Sequence, residues 1–100
     1  MPSKPIVYCV RKSDSQLIKC CRYSGGPVSQ RYIEDMLLEK AERWSVVRGR
    51  RELILLCSDN PESAKRILVG DWIVVEQSTP KTYSDMAFRE KYHPMHHSVR

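Results

Sequence analysis

The sequence predicts a single α+β domain with a largely antiparallel sheet. Three observations carry that expectation. Two β-rich runs lie either side of a short polar turn. One apolar stripe at helical spacing follows them. The remaining strand-like and helix-like runs are short and separated by Gly, Pro and Asn. A hairpin-linked start with helices set apart from it favours the α+β class.

The first strand is expected over Ile6 to Lys12, where Ile-Val-Tyr-Cys-Val is β-branched and aromatic. Ser13-Asp14-Ser15 has turn chemistry, and Leu17 to Tyr23 reads as the returning strand. Ser24-Gly25-Gly26-Pro27 breaks the chain. A long helix is expected next, with Ser29 as N-cap and Glu34 and Asp35 in its early turns. Ile33, Met36, Leu37, Ala41 and Trp44 recur at steps of three and four, so the helix is expected to carry one core-facing stripe as far as Trp44. Gly49 is the expected exit, with Val46-Val47 already extended.

Glu52 to Cys57 is apolar on consecutive positions and reads as a buried strand. Asn60 and Pro61 look like a helix cap and first helical residue, which predicts a short helix over Ser63 to Leu68. Trp72 to Glu76 is a further strand, Ser78 to Lys81 a loop, and Tyr83 to Tyr92 a last short helix capped by Ser84. The expected order is β-β-α-β-α-β-α, an about four-stranded sheet with one long helix and two short ones. Residues 1–100 are expected to form one domain, with 93–100 a flexible tail behind Pro94.

At 100 residues, 41% hydrophobic and 29% charged, the composition is that of a folded soluble domain. No apolar run approaches the length that spans a bilayer, and Ile6 to Val10 is too short for a signal peptide, so a cytoplasmic protein with no membrane partner is expected. The net charge of +5 is uneven. Residues 1–31 hold Lys4, Arg11, Lys12, Lys19, Arg22 and Arg31 against Asp14 alone, and the rest of the chain balances. A basic surface favours an anionic partner, either nucleic acid or an acidic protein face. The candidate contact residues are Arg11, Lys12, Lys19 and Arg22 on the hairpin and Arg48, Arg50 and Arg51 in a loop.

Cys9, Cys20, Cys21 and Cys57 include no Cys-x-x-Cys pair, and buried, reduced thiols are expected. A Cys9–Cys20 disulfide across the hairpin remains geometrically open at this level. His93, His96 and His97 are metal-ligand residue types, but nothing at the right spacing supplies a fourth ligand, so no metal and no cofactor is expected. No nucleophile elbow, phosphate-cradling glycine loop or dinucleotide fingerprint is present. No spacing selects a catalytic carboxylate pair, so no enzymatic activity is expected.

Gly70-Asp71-Trp72-Ile73-Val74, then Tyr83, then Phe88 with Tyr92 and Pro94, resembles the C-terminal signature of a group of small proteins encoded by tailed phages and prophages. Those proteins end in a Pro-Gly-Asp-Trp-Ile strand, a Tyr-Pro and a Phe-x-x-x-Tyr-x-Pro. Lys4-Pro5-Ile6-Val7 is similar to their first strand. Val69 stands where they have Pro, Ser84 stands where Pro follows the Tyr, the Gly-Glu before the Tyr is absent, and Tyr83 lies closer to Phe88. The match covers about a third of the chain. The resemblance implies a phage origin and a fold rather than an activity. Physically, Gly70 suits a positive-φ turn, Asp71 suits a backbone hydrogen bond there, and the four aromatic residues suit sealing a helix onto a sheet.

Taken together, a small phage-type accessory protein that binds a host or phage macromolecule is expected, inhibition of a host defence or transcription component being one concrete form. Direct DNA or RNA binding through the basic hairpin and the Arg-rich loop is the alternative, and a structural or assembly subunit is the third.

Overall fold

The computed structural model describes residues 7–95. They form ten elements: β1 (Tyr8–Arg11), β2 (Leu17–Arg22), α1 (Pro27–Lys40), β3 (Trp44–Arg48), β4 (Glu52–Cys57), β5 (Asn60–Leu68), β6 (Trp72–Glu76), β7 (Thr79–Tyr83), α2 (Asp85–Lys91) and β8 (Tyr92–Pro94). The α+β class and the antiparallel pairing match expectation. The strands fall into two sheets instead of one, a five-stranded sheet in the order β7-β6-β2-β1-β8 and a three-stranded meander β3-β4-β5.

The hairpin forms as the turn chemistry dictates, with Tyr8 opposite Lys19 and Cys9 opposite Ile18. Alternation then divides neighbouring side chains between two faces. Cys21, Ile73 and Val75 turn to one face, which α1 and the three-stranded sheet close with Ile33, Met36, Leu37, Leu53, Leu55 and Ile67. Cys20, Trp72 and Val74 turn to the other face, under Phe88 of α2 and Tyr92 of β8. Trp72 and Phe88 stack with centroids 4.0 Å apart, and Phe88 meets Tyr92 at 5.2 Å. The aromatic residues of the C-terminal segment therefore seal α2 onto the sheet.

The long helix is shorter than expected and starts earlier. Gly26 is the N-cap and Pro27 lies in the first turn. Ser29 is inside the helix, where its hydroxyl accepts from the Ser24 backbone N–H at 3.0 Å. The helix stops at Lys40 because Trp44 is claimed by β4, opposite Cys57. The stripe residue Trp44 thus packs on the same core from a strand.

The expected helix over Ser63 to Leu68 is instead β5. Ile67 lies opposite Leu53 and is fully buried, and tertiary burial outweighs the mild helical preference of Ala64-Lys65-Arg66. Pro61 is tolerated because β5 is an edge strand and needs no further donor. The loop expected at Ser78 to Lys81 is largely β7, reached through a tight turn in which Gln77 (φ 52°) and Ser78 (φ 61°) are both left-handed. The last helix matches, with the Ser84 hydroxyl accepting from Ala87 N–H at 3.3 Å. Of the expected tail, His93 and Pro94 are not loose but pair with Val10 and Cys9 as β8. His96 and His97 lie outside the described residues. At the β5–β6 turn, Gly70 has φ 97° and Asp71 accepts from Leu68 N–H at 3.0 Å.

Candidate functional site

The seven candidate cations do not form one surface. Strand alternation puts Arg11 and Arg22 on the α2 face of the five-stranded sheet and Lys19 on the α1 face. Arg48, Arg50 and Arg51 lie at the end of the other sheet, in and beside the β3–β4 turn.

Each hairpin cation has a partner within the fold. The Arg11 guanidinium donates to both oxygens of Asp14, at 2.9 and 2.7 Å, and lies 3.2 Å from Glu76. Those bonds hold the Asp14 carboxyl below its ordinary range and push the guanidinium pKa up. Lys12 reaches the Arg89 carbonyl at 2.7 Å and so closes the C-terminal turn of α2. Lys19 pairs with Glu39 of α1 at 3.2 Å, which lowers that carboxyl's pKa. Arg22 donates to the Gly70 carbonyl at 3.1 Å, lies over Trp72 at 5.8 Å and approaches Asp85 to 3.9 Å. Asp85 is held low first by the Trp72 indole N–H at 2.8 Å and then by Arg89.

Glu76 is not among the candidate contact residues drawn from the sequence. Its side chain is only 11% exposed, and it collects Arg11, Lys81 at 3.6 Å and the Tyr92 hydroxyl. Burial first, and then the Glu76 carboxylate, push the Tyr92 hydroxyl pKa upward. Its only sequence signal is an acid at the end of an apolar strand.

The β3–β4 turn behaves differently. The Gly49 N–H donates to the Glu52 carbonyl at 2.8 Å. A Cβ at Gly49 would meet Glu52 Cγ at 2.9 Å, so a larger residue there needs the Glu52 side chain to shift. Arg51 is held left-handed at φ 61°, a conformation costing a non-glycine residue roughly 1 kcal/mol. Among the described residues, Arg48, Arg50 and Arg51 are exposed and have no carboxylate within ion-pair distance. The nearest acid in sequence, Glu52, is engaged by Arg66.

Cys9, Cys20 and Cys21 are buried and Cys57 is half-buried, all as free thiols. Cys9 lies opposite Ile18, so Cys20 is its diagonal neighbour across the hairpin. Contact with Cys9 and burial raise the Cys20 thiol, and burial alone pushes Cys21 up to about 12. Such thiols are poor nucleophiles at neutral pH. Among the described residues no three His, Cys, Asp or Glu side chains converge as metal ligands, and His93 is exposed on an edge strand. No described helix is long and apolar enough to cross a membrane. No family model matches the chain, and neither a curated protein nor a solved structure matches it.

Proposed function

We propose that the chain is a non-catalytic binding protein, a small phage-type accessory protein that attaches to an anionic face of a host or phage macromolecule in the host cytoplasm. The observation that supports this reading best is the contrast among its arginines. Arg48, Arg50 and Arg51 lie in and beside one exposed turn with no carboxylate in ion-pair distance among the described residues, whereas Arg11 has two and Arg22 approaches one. Guanidinium groups free of internal partners retain their fork of donors for carboxylate or phosphate. Inhibition of a defence or transcription component is the concrete form of attachment, and the phage-like C-terminal segment is what suggests it.

A second reading, direct nucleic-acid binding, rests on the same turn, since three arginines on a strand connection suit phosphate contacts. A salt series on mixed duplex and single-stranded DNA separates the two. Affinity that falls steeply between about 50 and 200 mM salt supports nucleic acid, and no binding at about 50 mM removes it.

The main reading is tested by capture from host extract with three baits: wild type, the triple variant Arg48→Gln/Arg50→Gln/Arg51→Gln, and Lys19→Gln/Arg22→Gln. A partner retained by wild type and by the hairpin variant but lost by the turn variant is expected. Equal retention by the turn variant would contradict it.

A further inference from the structure

A separate cavity lies on the α2 face, where the β1–β2 turn, β7 and the end of α2 meet. Its volume is about 480 Å³, within the range of small-molecule sites. Four cations line it, Arg11, Lys12, Lys81 and Lys91, against Glu76 and Glu90. Those lining charges sum to +2, and cations of the same wall already satisfy Glu76. It is held between Arg11, Lys81 and the Tyr92 hydroxyl. Arg11 in turn is neutralised by Asp14 beside the cavity.

Three ammonium groups and one hydroxyl remain for an incoming molecule. Lys12 uses one donor on the Arg89 carbonyl and keeps the rest. Lys81 is half-exposed and keeps donors beyond its contact with Glu76. Lys91 has no carboxylate partner among the described residues, and the Tyr83 ring holds its ammonium 5.9 Å from the ring centre. The Ser13 hydroxyl completes the donor set. Glu90 has no cation partner among the described residues and offers an acceptor on the same wall.

We infer that this cavity binds a phosphate monoester of a small hydroxylated molecule, a nucleoside or sugar phosphate, with Lys12, Lys81 and Lys91 on the phosphate and Glu90 on a hydroxyl. Point-charge lysines suit a phosphate dianion, and a carboxylate beside them suits the hydroxyls of a ribose-like skeleton. A bare inorganic anion would leave Glu90 unused and repelling. A cleft of about 680 Å³ between the end of α1 and the β6–β7 turn is larger, but its Arg43 is committed to Asp59 at 2.7 Å.

The test is titration of the full chain with adenosine 5′-monophosphate, ribose 5-phosphate, inorganic phosphate and adenosine, read by calorimetry and by amide shifts. The expected result is saturable binding of at least one ester, about 10-fold tighter than inorganic phosphate or adenosine, with shifts at Ser13, Lys81, Tyr83 and Lys91. Comparison of the two esters identifies the source, since a preference for the nucleotide means that the base is also contacted. Lys81→Gln/Lys91→Gln should lose about 10-fold or more, and Lys91→Gln alone, at an exposed side chain with no carboxylate partner among the described residues, should weaken binding while melting as wild type does. The variant at Arg48, Arg50 and Arg51 should bind as wild type, which separates failure here from failure of the attachment turn. Three results would each overturn the inference: no saturable binding, binding no tighter than that of inorganic phosphate, or binding indifferent to the lysine substitutions.

Discussion

The β1–β2 and β3–β4 hairpins are both rich in cations, and they use them in opposite ways. The first is an inner pair of the five-stranded sheet, covered on both faces, and its cations reach α1, α2 and β6. The second lies at the margin of a three-stranded sheet whose outer face is bare: Val47 is 46% exposed and Leu68 49%. Its terminal arginines reach no acid among the described residues. The lesson is that local charge is a poor guide to a binding surface until the partners supplied by the fold are known. A cation near the centre of a sheet acquires acids from distant chain segments, and one on a protruding turn does not.

The largest expected effect contrasts the two hairpins by what covers them. Phe88→Ala removes the ring that stacks on Trp72 beneath the first hairpin and should cost about 3–5 kcal/mol in denaturant unfolding. Val47→Ala on the bare outer face of the second should cost less than about 1 kcal/mol, because little is buried there. Equal costs would mean that the outer face is covered.

A smaller loss is expected from Tyr92→Phe. It removes the hydroxyl bonded to Glu76 and should lower stability by about 1 kcal/mol, while binding through the β3–β4 turn is unchanged. Arg51→Gly should move the other way. It relieves a left-handed non-glycine residue and should raise stability by about 0.5–1 kcal/mol even as it weakens attachment, a combination readable from a melting curve beside a binding curve.

The smallest effect is that of pH. Asp85 has a folded-state pKa below the ordinary 3.8, chiefly through the Trp72 indole N–H. Its contribution is therefore complete above about pH 4 and is lost as pH falls through the lowered value. The carboxylate is 39% exposed, so solvent screens the effect. Asp85→Asn should flatten the acid limb of the stability profile slightly, and an identical acid limb would show that the indole bond is not charge-assisted.

Much of this fold is legible in the sequence, and the failures share a cause. β2, β4 and β6 are dense in β-branched or apolar residues and lie close to where propensity puts them. The Ser84 cap and the Gly70 turn are local chemistry and are likewise readable. β5 and β7 each bury one residue fully, Ile67 and Pro80, so neither has an alternating pattern to find. The β6–β7 turn hides further because Gln77-Ser78 replaces the usual Asn-Gly signal. At the site, residue types could be read but pairing could not. Nothing near Arg11 in sequence announces Glu76, and nothing near Arg22 announces Asp85.

Salt elution from an immobilised sulfated polysaccharide is the most direct measure of which cations are available to a partner. Wild type, Lys19→Gln/Arg22→Gln and Arg48→Gln/Arg50→Gln/Arg51→Gln would be compared on one column. The account predicts that the hairpin variant elutes close to wild type and the turn variant at much lower salt. Early elution of the hairpin variant, with the turn variant unchanged, would contradict it.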